Sequence, residues 1–419
     1  MVAPKLRFTG FDGDWGEKKF SEQFNFHNTN SYSRALLAEQ GEIMNIHYGD
    51  IHTKFSMLFD VKEEAVPFLS SEIDTNKIAE NQFLQVGDLV IADASEDYKD
   101  IGKAIEVINL DNKKVVAGLH TYIARPVERC AIGFNGYLMQ TFEVREQIKK
   151  LATGISVLGI SKTNLGKVEL KIPCLAEQTK IASFLSAVDE KISQLTQKHA
   201  RLSQYKQGMM QKLFSQQIRF KADDGSDFGE WEEKKLSEIS IKIKDGTHFS
   251  PKTFEVGEYK YLTSKNVKDG YLDFSNLEYV TKEEHLKIYS SCDVKYGDVL
   301  LTKDGTIGQC CVNTLHEEFS LLSSVAFLRL KPEYNNYFLY HLLVSDLGQK
   351  EISSAIAGQA LKRITLTKIN DFSFCFPCLA EQTKIANFLS SIDQKIEVVS
   401  QQIEQAKQWK KGLLQQMFV

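Results

Sequence analysis

Proline is scarce in this 419-residue chain: there are seven, and no two are adjacent. The Asn/Asp-Pro-Pro-aromatic loop with which a DNA amino-methyltransferase stacks on an extruded base is therefore missing. The absence of any Pro-Asp pair weakens a nuclease of the Pro-Asp…Asp/Glu-x-Lys type. There is no GxxxxGK[ST] loop, which excludes ATP hydrolysis by that route; GISVLG at 154–159 keeps the outer glycines but lacks the lysine. The seven cysteines are odd in number and irregularly spaced, which suits a reducing cytoplasm better than a disulfide framework. Cys375-Phe-Pro-Cys378 is a C-x-x-C without a second pair, and the nine histidines form no HExxH, so neither a metal site nor a catalytic group is expected. No run of about 18 apolar residues occurs, and no apolar stretch follows Met1, so a cytoplasmic protein without membrane spans is expected.

Positive charge is also short, with a net charge of −4 and a pI near 6.2. Nucleic-acid binding usually needs the opposite balance, because cations must displace phosphate counterions. Any such role has to rest on local basic faces or on a basic partner. Residues 241–268 are one such face, with six lysines against three acids, whereas 60–100 is strongly acidic.

What the chain does have is a duplication. PCLAEQTKIA occurs at 173–182 and again, letter for letter, at 377–386. Aligning 172–215 with 376–419 gives 22 identities in 44 columns. Upstream, Gly154, Ile160 and Leu165 match Gly358, Ile364 and Ile369. VGDLVIAD at 86–93 resembles YGDVLLTK at 296–303, and WGEKKFSE from Trp15 matches WEEKKLSE from Trp231. Between these landmarks the halves diverge into short β-rich runs separated by turn signals such as KDG. The spacing predicts two mixed α/β domains at 1–172 and 216–376, followed by long helices at 173–215 and 377–419, with the joint near 215–231.

Each predicted helix carries apolar residues at alternating steps of three and four. The first has Leu185, Val188, Ile192, Leu195 and Leu202, and the second has Leu389, Ile392, Ile396, Val399 and Ile403. This period of 3.5 is that of a coiled-coil seam, interrupted by His199 and Lys206 in one copy and by Lys410 in the other. Forty helical residues would extend about 60 Å. Antiparallel pairing is expected, because it lets each domain sit at its own helix start. The predicted class is α+β, with a pseudo-twofold repeat.

This plan, with PCLAEQTKIA…FLS…DxKI closing each half, resembles the specificity subunit of type I restriction–modification systems over essentially the whole chain. The Gly154/Gly358 pair and the Gly-Asp steps at 87–88 and 297–298 fit the same pattern. The resemblance implies two target-recognition domains, each reading one part of a bipartite, asymmetric site in double-stranded DNA. It implies helices that set the spacing and dock two methyltransferase (modification) subunits, with restriction/translocase subunits joining them. It also implies a chain that is not itself an enzyme and binds no cofactor, with S-adenosylmethionine, ATP and Mg on its partners. Two other classes stay open: a self-contained restriction enzyme with an unrecognised active site, and a coiled-coil protein adaptor.

Candidate DNA-reading residues are polar groups on turn-rich loops. In the second domain they are Lys244, Thr247, His248, Lys252, Lys265, Asn266, Lys303, Gln359, Lys362 and Arg363. In the first they are His47, Tyr48, His52, Lys54, Ser161 and Lys162. Lys and Arg can donate to guanine, and Asn and Gln can pair with adenine. The alternatives for each are a solvated surface charge or a phosphate contact that carries no sequence information.

Overall fold

The strand that opens each half pairs with the strand that leads into its long helix. In the computed structural model, which describes residues 3–357 and 362–418, Gly16–Lys19 runs antiparallel to Glu169–Ile172, with Gly16 opposite Ile172. Glu232–Lys235 pairs with Ser373–Phe376 in the same way, with Glu232 opposite Phe376. A single helical turn follows each opening strand, at Phe20–Gln23 and Leu236–Ile239. The Lys19 N–H donates to Glu22 Oε2 at 2.8 Å and the Lys235 N–H to Glu238 Oε2 at 2.6 Å, which explains the shared Lys-Lys-x-Ser-Glu pattern as a cap. Phe20 and Leu236, at the variable position of that pattern, are fully buried.

The chain divides into two compact units, Met1–Thr196 with Gln401–Val419, and Gln197–Ser400. Each unit takes one end of each long helix, so the units cut across the linear segments 1–172, 173–215, 216–376 and 377–419. In the first unit a five-stranded sheet has the order Phe24–His27, Thr121–Pro126, Leu89–Ala92, Ala104–Asn109, Leu58–Asp60. Only the last pair is parallel. Both faces of this sheet are covered. Leu89, Ile91, Ala104 and Ala124 face a core shared with the helices, and Val90, Ala92, Ile105 and Ile123 face a second core. That is why the strand Leu-Val-Ile-Ala reads as an unbroken apolar run.

In the second unit the strands Ser240–Asp245, Val325–Leu330, Val299–Thr302 and Cys310–Val312 form an antiparallel sheet in that order. Val299, Leu301, Cys310 and Leu328 face the helical core, and Leu300, Cys311 and Phe327 face the other core. The adjacent cysteines thus lie on opposite faces of one strand, and burial pushes the Cys311 thiol up to about 12.

The long helices are Leu175–Phe214 and Leu379–Met417. In the first unit Leu185 and Val188, near the start of one helix, share a core with Leu413 and Met417 at the end of the other. In the second unit Met210 and Leu213, near the end of the first helix, pack with Leu389 and Ile392 at the start of the second. Start meets end in both, so the pairing is antiparallel. Leu195, Val399 and Ile403 are buried, and Ile192, Leu202 and Ile396 are half-buried. Fully burying a Val, Leu or Ile side chain is worth about 1.5–3 kcal/mol, and the half-buried positions contribute less.

The charges that interrupt the seam are paired. Lys410 Nζ lies 2.5 Å from Asp189 Oδ1 in the first unit, and Lys206 Nζ lies 2.5 Å from Asp393 Oδ1 in the second. Each ammonium also sits over a tyrosine ring, Tyr137 and Tyr340 respectively. No helix among the described residues is long and apolar enough to cross a membrane.

Candidate nucleic-acid interface

Each domain has two chemically distinct ends, separated by one strand of four residues. Asp88 precedes Leu89–Ala92 and Asp93 follows it; Asp298 precedes Val299–Thr302 and Lys303 follows it. At the first end the arrangement is built twice. Arg125 grips Asp88 through Nε and Nη2, both at 2.8 Å, and Arg329 grips Asp298 at 3.0 and 2.8 Å. The carboxylates also accept the N–H of Gln85 and Lys295, closing turns in which Gly87 and Gly297 adopt φ of 96° and 89°. The Gly-Asp step is therefore architectural: only glycine adopts that backbone cheaply.

The repeated decapeptide sits beside this end and clasps each domain to its helix. Glu177 is buried and bound by Arg7 at 2.7 and 2.8 Å; Glu381 is buried and bound by Arg219 at 3.1 and 2.7 Å. Gln178 donates to the Pro173 carbonyl and accepts the Ala131 N–H; Gln382 donates to the Pro377 carbonyl and accepts the Asn335 N–H. Phe8 meets Phe184 and Phe220 meets Phe388, each at 5.7 Å between centroids. The Arg-Phe pairs at 7–8 and 219–220 are thus a further repeated motif, visible in the sequence as a dipeptide ahead of Trp15 and Trp231.

At the other end of the strand the domains differ. In the second domain the segments near 245–249, 263–266, 303–305, 321–324 and 362–364 are knitted together. The Thr247 N–H donates to Leu321 O and the Ser323 N–H to Thr247 O. The Lys303 N–H donates to Ser324 O, the Ile364 N–H to Lys303 O, and the Ser264 N–H to Ser324 Oγ. Gly246 has no room for a side chain, because a Cβ would fall 1.9 Å from Leu321 O. Around this knot Lys244, His248, Lys252, Lys265, Lys362 and Arg363 are exposed. Three other predicted residues are used internally. Asn266 is buried, accepting from Thr263 N and donating to Asp273 O. Thr247 is buried and accepts the Phe249 N–H, and Lys303 is buried in an ion pair with Asp245 at 3.0 Å. Gln359 lies outside the described residues.

The first domain gathers an aromatic cluster at the matching place. Tyr48 stands among His47, His52 and His120, with ring centroids 4.7, 6.3 and 5.4 Å away. His47 is buried, and its Nδ1 caps a short helix by accepting the Gly49 N–H; burial, then the nearby Arg34 cation, lowers its pKa. Lys54 and Arg34 both pair with the buried Asp50 while remaining largely exposed. The His52 ring bonds Ala94 O. Ser161 caps a helical turn at Asn164 N, and Lys162 lies over Tyr122 and Phe26. His120 and Arg34, half-exposed in this cluster, have no signature in the sequence, since an isolated Gly-Leu-His step and a lone arginine carry no periodic signal. His120 faces Asp93 at 3.2 Å, whereas the matching Lys303 faces Asp245.

One buried acid belongs to the first unit alone. Glu106 accepts the N–H groups of Gly133 and Gly136 at 2.7 and 2.6 Å, and burial pushes its carboxyl up to about 7. In the second unit the Asn335 side chain caps the matching helix instead. Among the described residues, no group of three or more His, Cys, Asp or Glu is placed to hold a metal ion.

Comparison with known proteins matches this chain twice to the type I restriction modification DNA specificity domain, at 13–204 and 229–408. The specificity subunit of type I restriction enzyme MjaVIII from Methanocaldococcus jannaschii is 28% identical over 290 residues, 66% of this chain and 68% of that protein. The EcoKI specificity subunit of Escherichia coli is 23% identical over 365 residues, 80% of this chain and 74% of that protein. The S subunit of a type I restriction–modification system from M. genitalium has the same fold, with a TM-score of 0.61 at 15% identity, over 100% of this chain and 99% of the other.

Proposed function

The chain belongs to the type I restriction–modification DNA specificity family, and from that premise we propose that it is the subunit that reads a bipartite, asymmetric DNA site. One observation carries this reading: two scaffolds alike at the clasped end bear different chemistry at the loop end. Different loops on equivalent scaffolds read different half-sites, whereas identical loops would read a palindrome. The exposed cations around the second knot, and Tyr48, His52, Lys54 and Lys162 in the first domain, are the proposed DNA contacts. His47, Asn266, Thr247 and Lys303 act by holding those loops in shape.

In this reading the chain catalyses nothing and binds no cofactor. It brings two modification subunits to the site, and restriction/translocase subunits join that cytoplasmic complex, with S-adenosylmethionine, ATP and Mg on the partners. The basic surface that this chain lacks comes largely from them. The paired helices, each about 60 Å long, set the unread gap between half-sites.

Mapping methylated adenines in cells that carry this chain and its modification partner tests the proposal. Two unlike half-sites at one fixed gap are expected, each altered only when its own domain is replaced. Methylation that ignores both replacements would sink the idea, as would nucleolytic activity from the purified chain alone.

A further inference from the structure

Two grooves stand at matching places in the two units and carry opposite charge. In the first unit the last turns of the second long helix and the loop end of the sheet enclose about 320 Å³. Lys103, Lys407, Lys410 and Lys411 line this groove over an apolar floor that includes Phe55 and Leu414. No Asp or Glu is among the described residues of its wall. In the second unit the matching turns of the first long helix border a groove of about 1030 Å³. There Asp269, Asp346, Asp393 and Glu397 face a single lysine, Lys206.

The repeat shows which lysines the fold needs. Lys410 and Lys206 are structural twins: each bridges to an aspartate of the facing helix and sits over a tyrosine ring. Lys407 and Lys411 stand where the second unit has Ser203 and Gln207, at the offset of the decapeptide. Lys103 stands where it has Gln309. Each follows an Ile-Gly pair, and each carbonyl accepts the N–H at the matching sheet position, Ala92 or Thr302. Gln309 is tied to Asp269, accepting its N–H and donating to its carboxylate. Three uncharged residues thus serve the same scaffold, and the lysines at 103, 407 and 411 add charge that folding does not require.

That charge is weakly compensated. Lys103 Nζ donates to the His52 carbonyl, a neutral partner. Lys407 pairs with Glu404 on its own helix, with both side chains more than half exposed. Lys411 is exposed and has no partner among the described residues. In a chain of net charge −4 this is a local inversion of sign, and the apolar floor strengthens its field by keeping water from one side.

We propose that this groove is an anion site, present in the first unit alone, that takes phosphate groups from a free polyphosphate or from a nucleic-acid strand. Lysine binds phosphate as a point charge. The volume lies at the low end of ligand sites, roughly 300–1,000 Å³, and admits a few phosphate groups rather than a folded segment. Lys103 joins the groove to His52, beside Tyr48, so a strand lying on that cluster would reach it. The site follows from charge and from the contrast between the halves, and stands whether or not the loops read DNA.

The probe is tripolyphosphate, titrated calorimetrically into the full chain at low salt. Lys407→Ser with Lys411→Gln installs the second unit's own residues on an exposed helix face. Circular dichroism and melting temperature should stay at wild type while affinity falls about fivefold, and adding Lys103→Gln should deepen the loss. Lys77→Gln with Lys113→Gln, at two exposed lysines outside the groove, changes the net charge equally and should leave affinity unchanged. Acetylation footprinting should show Lys407 and Lys411 protected by tripolyphosphate. A short duplex of unrelated sequence identifies the source: displacement of the probe assigns the groove to backbone phosphates, and its retention assigns it to free polyphosphate. A wild-type chain that does not bind the probe overturns the site. An equal loss in the control pair overturns it too, as does protection of other lysines while Lys407 and Lys411 stay reactive.

Discussion

Asp88 and Asp298 sit at equivalent places and do the same thing, whereas Asp93 and Lys303, four residues of strand further on, sit at equivalent places and carry opposite charge. The first pair is buried and gripped by arginine, and a buried carboxylate has few stable solutions because each lost partner is costly. The second pair is matched differently in each half: the partly exposed Asp93 faces the half-exposed His120, and the buried Lys303 faces the largely buried Asp245. Architecture is thus repeated where both halves keep the same charged partner and varied where each half supplies its own. The same contrast separates the Arg7–Glu177 and Arg219–Glu381 clasps from the Tyr48–histidine cluster and the Lys303 knot.

The strongest way to break the comparison is to erase it. Replacing the second domain between its ribbon strands with the first should turn an asymmetric target into a palindromic one, read by methylation mapping. An unchanged target would mean that the loop ends do not specify sequence. Next come the clasps. Arg7→Ala should destabilise the first unit by about 3–5 kcal/mol, because Glu177 would remain buried and unpaired. Arg219→Ala should cost about 1–2 kcal/mol less, since Trp231 Nε1 still donates to Glu381 at 3.1 Å while Trp15 Nε1 has no partner among the described residues. Thermal and denaturant unfolding would rank them, and equal losses would contradict the role given to Trp231.

The units should also respond to pH in opposite directions. Glu106 titrates near 4.5 unfolded and about 7 folded, so its contribution is complete below pH 4.5 and is lost as pH rises through 7, on the order of 3 kcal/mol. His341 is fully buried against Ser390, and burial, then Lys206, lowers its pKa from 6.5 to about 3. Its contribution is complete above pH 6.5 and is lost as pH falls toward 3, by on the order of 4 kcal/mol. Amide protection of Val90 and Ile105, compared with Leu300 and Phe327, should separate the two trends. Glu106→Gln should flatten only the first and His341→Gln only the second. The smallest effect is expected at exposed cations. Lys252→Ala or Lys265→Ala should weaken DNA binding of the assembled complex by about 1 kcal/mol or less on every sequence and reduce the salt slope by about one. Salt titrations on cognate and scrambled duplexes would check this.

The duplication, the helix seam and the Gly-Asp steps were legible because each is a repeated or periodic pattern of residue type. Lys206 and Lys410 read only as interruptions of the seam; their partners Asp189 and Asp393 stand on the other helix, and no local pattern announces a contact across about two hundred residues. The loop residues were the least legible. Asn266 and Lys265 are neighbours in one turn, yet the amide closes that turn from inside and the ammonium faces water. Nothing in residue type separates those fates.

By itself the sequence determined that the chain is one plan written twice, with a helix start repeated letter for letter, because recurring patterns of burial and capping leave recurring letters. Only the tertiary structure decided what that repeated start is for. Its Glu and Gln turn inward to clasp each domain, while its Cys, Leu and Ala turn outward, because direction along a helix depends on what packs against it. The tertiary structure also decided which loop polar groups remain free, since a hydrogen bond needs a partner in space and the partners come from distant segments.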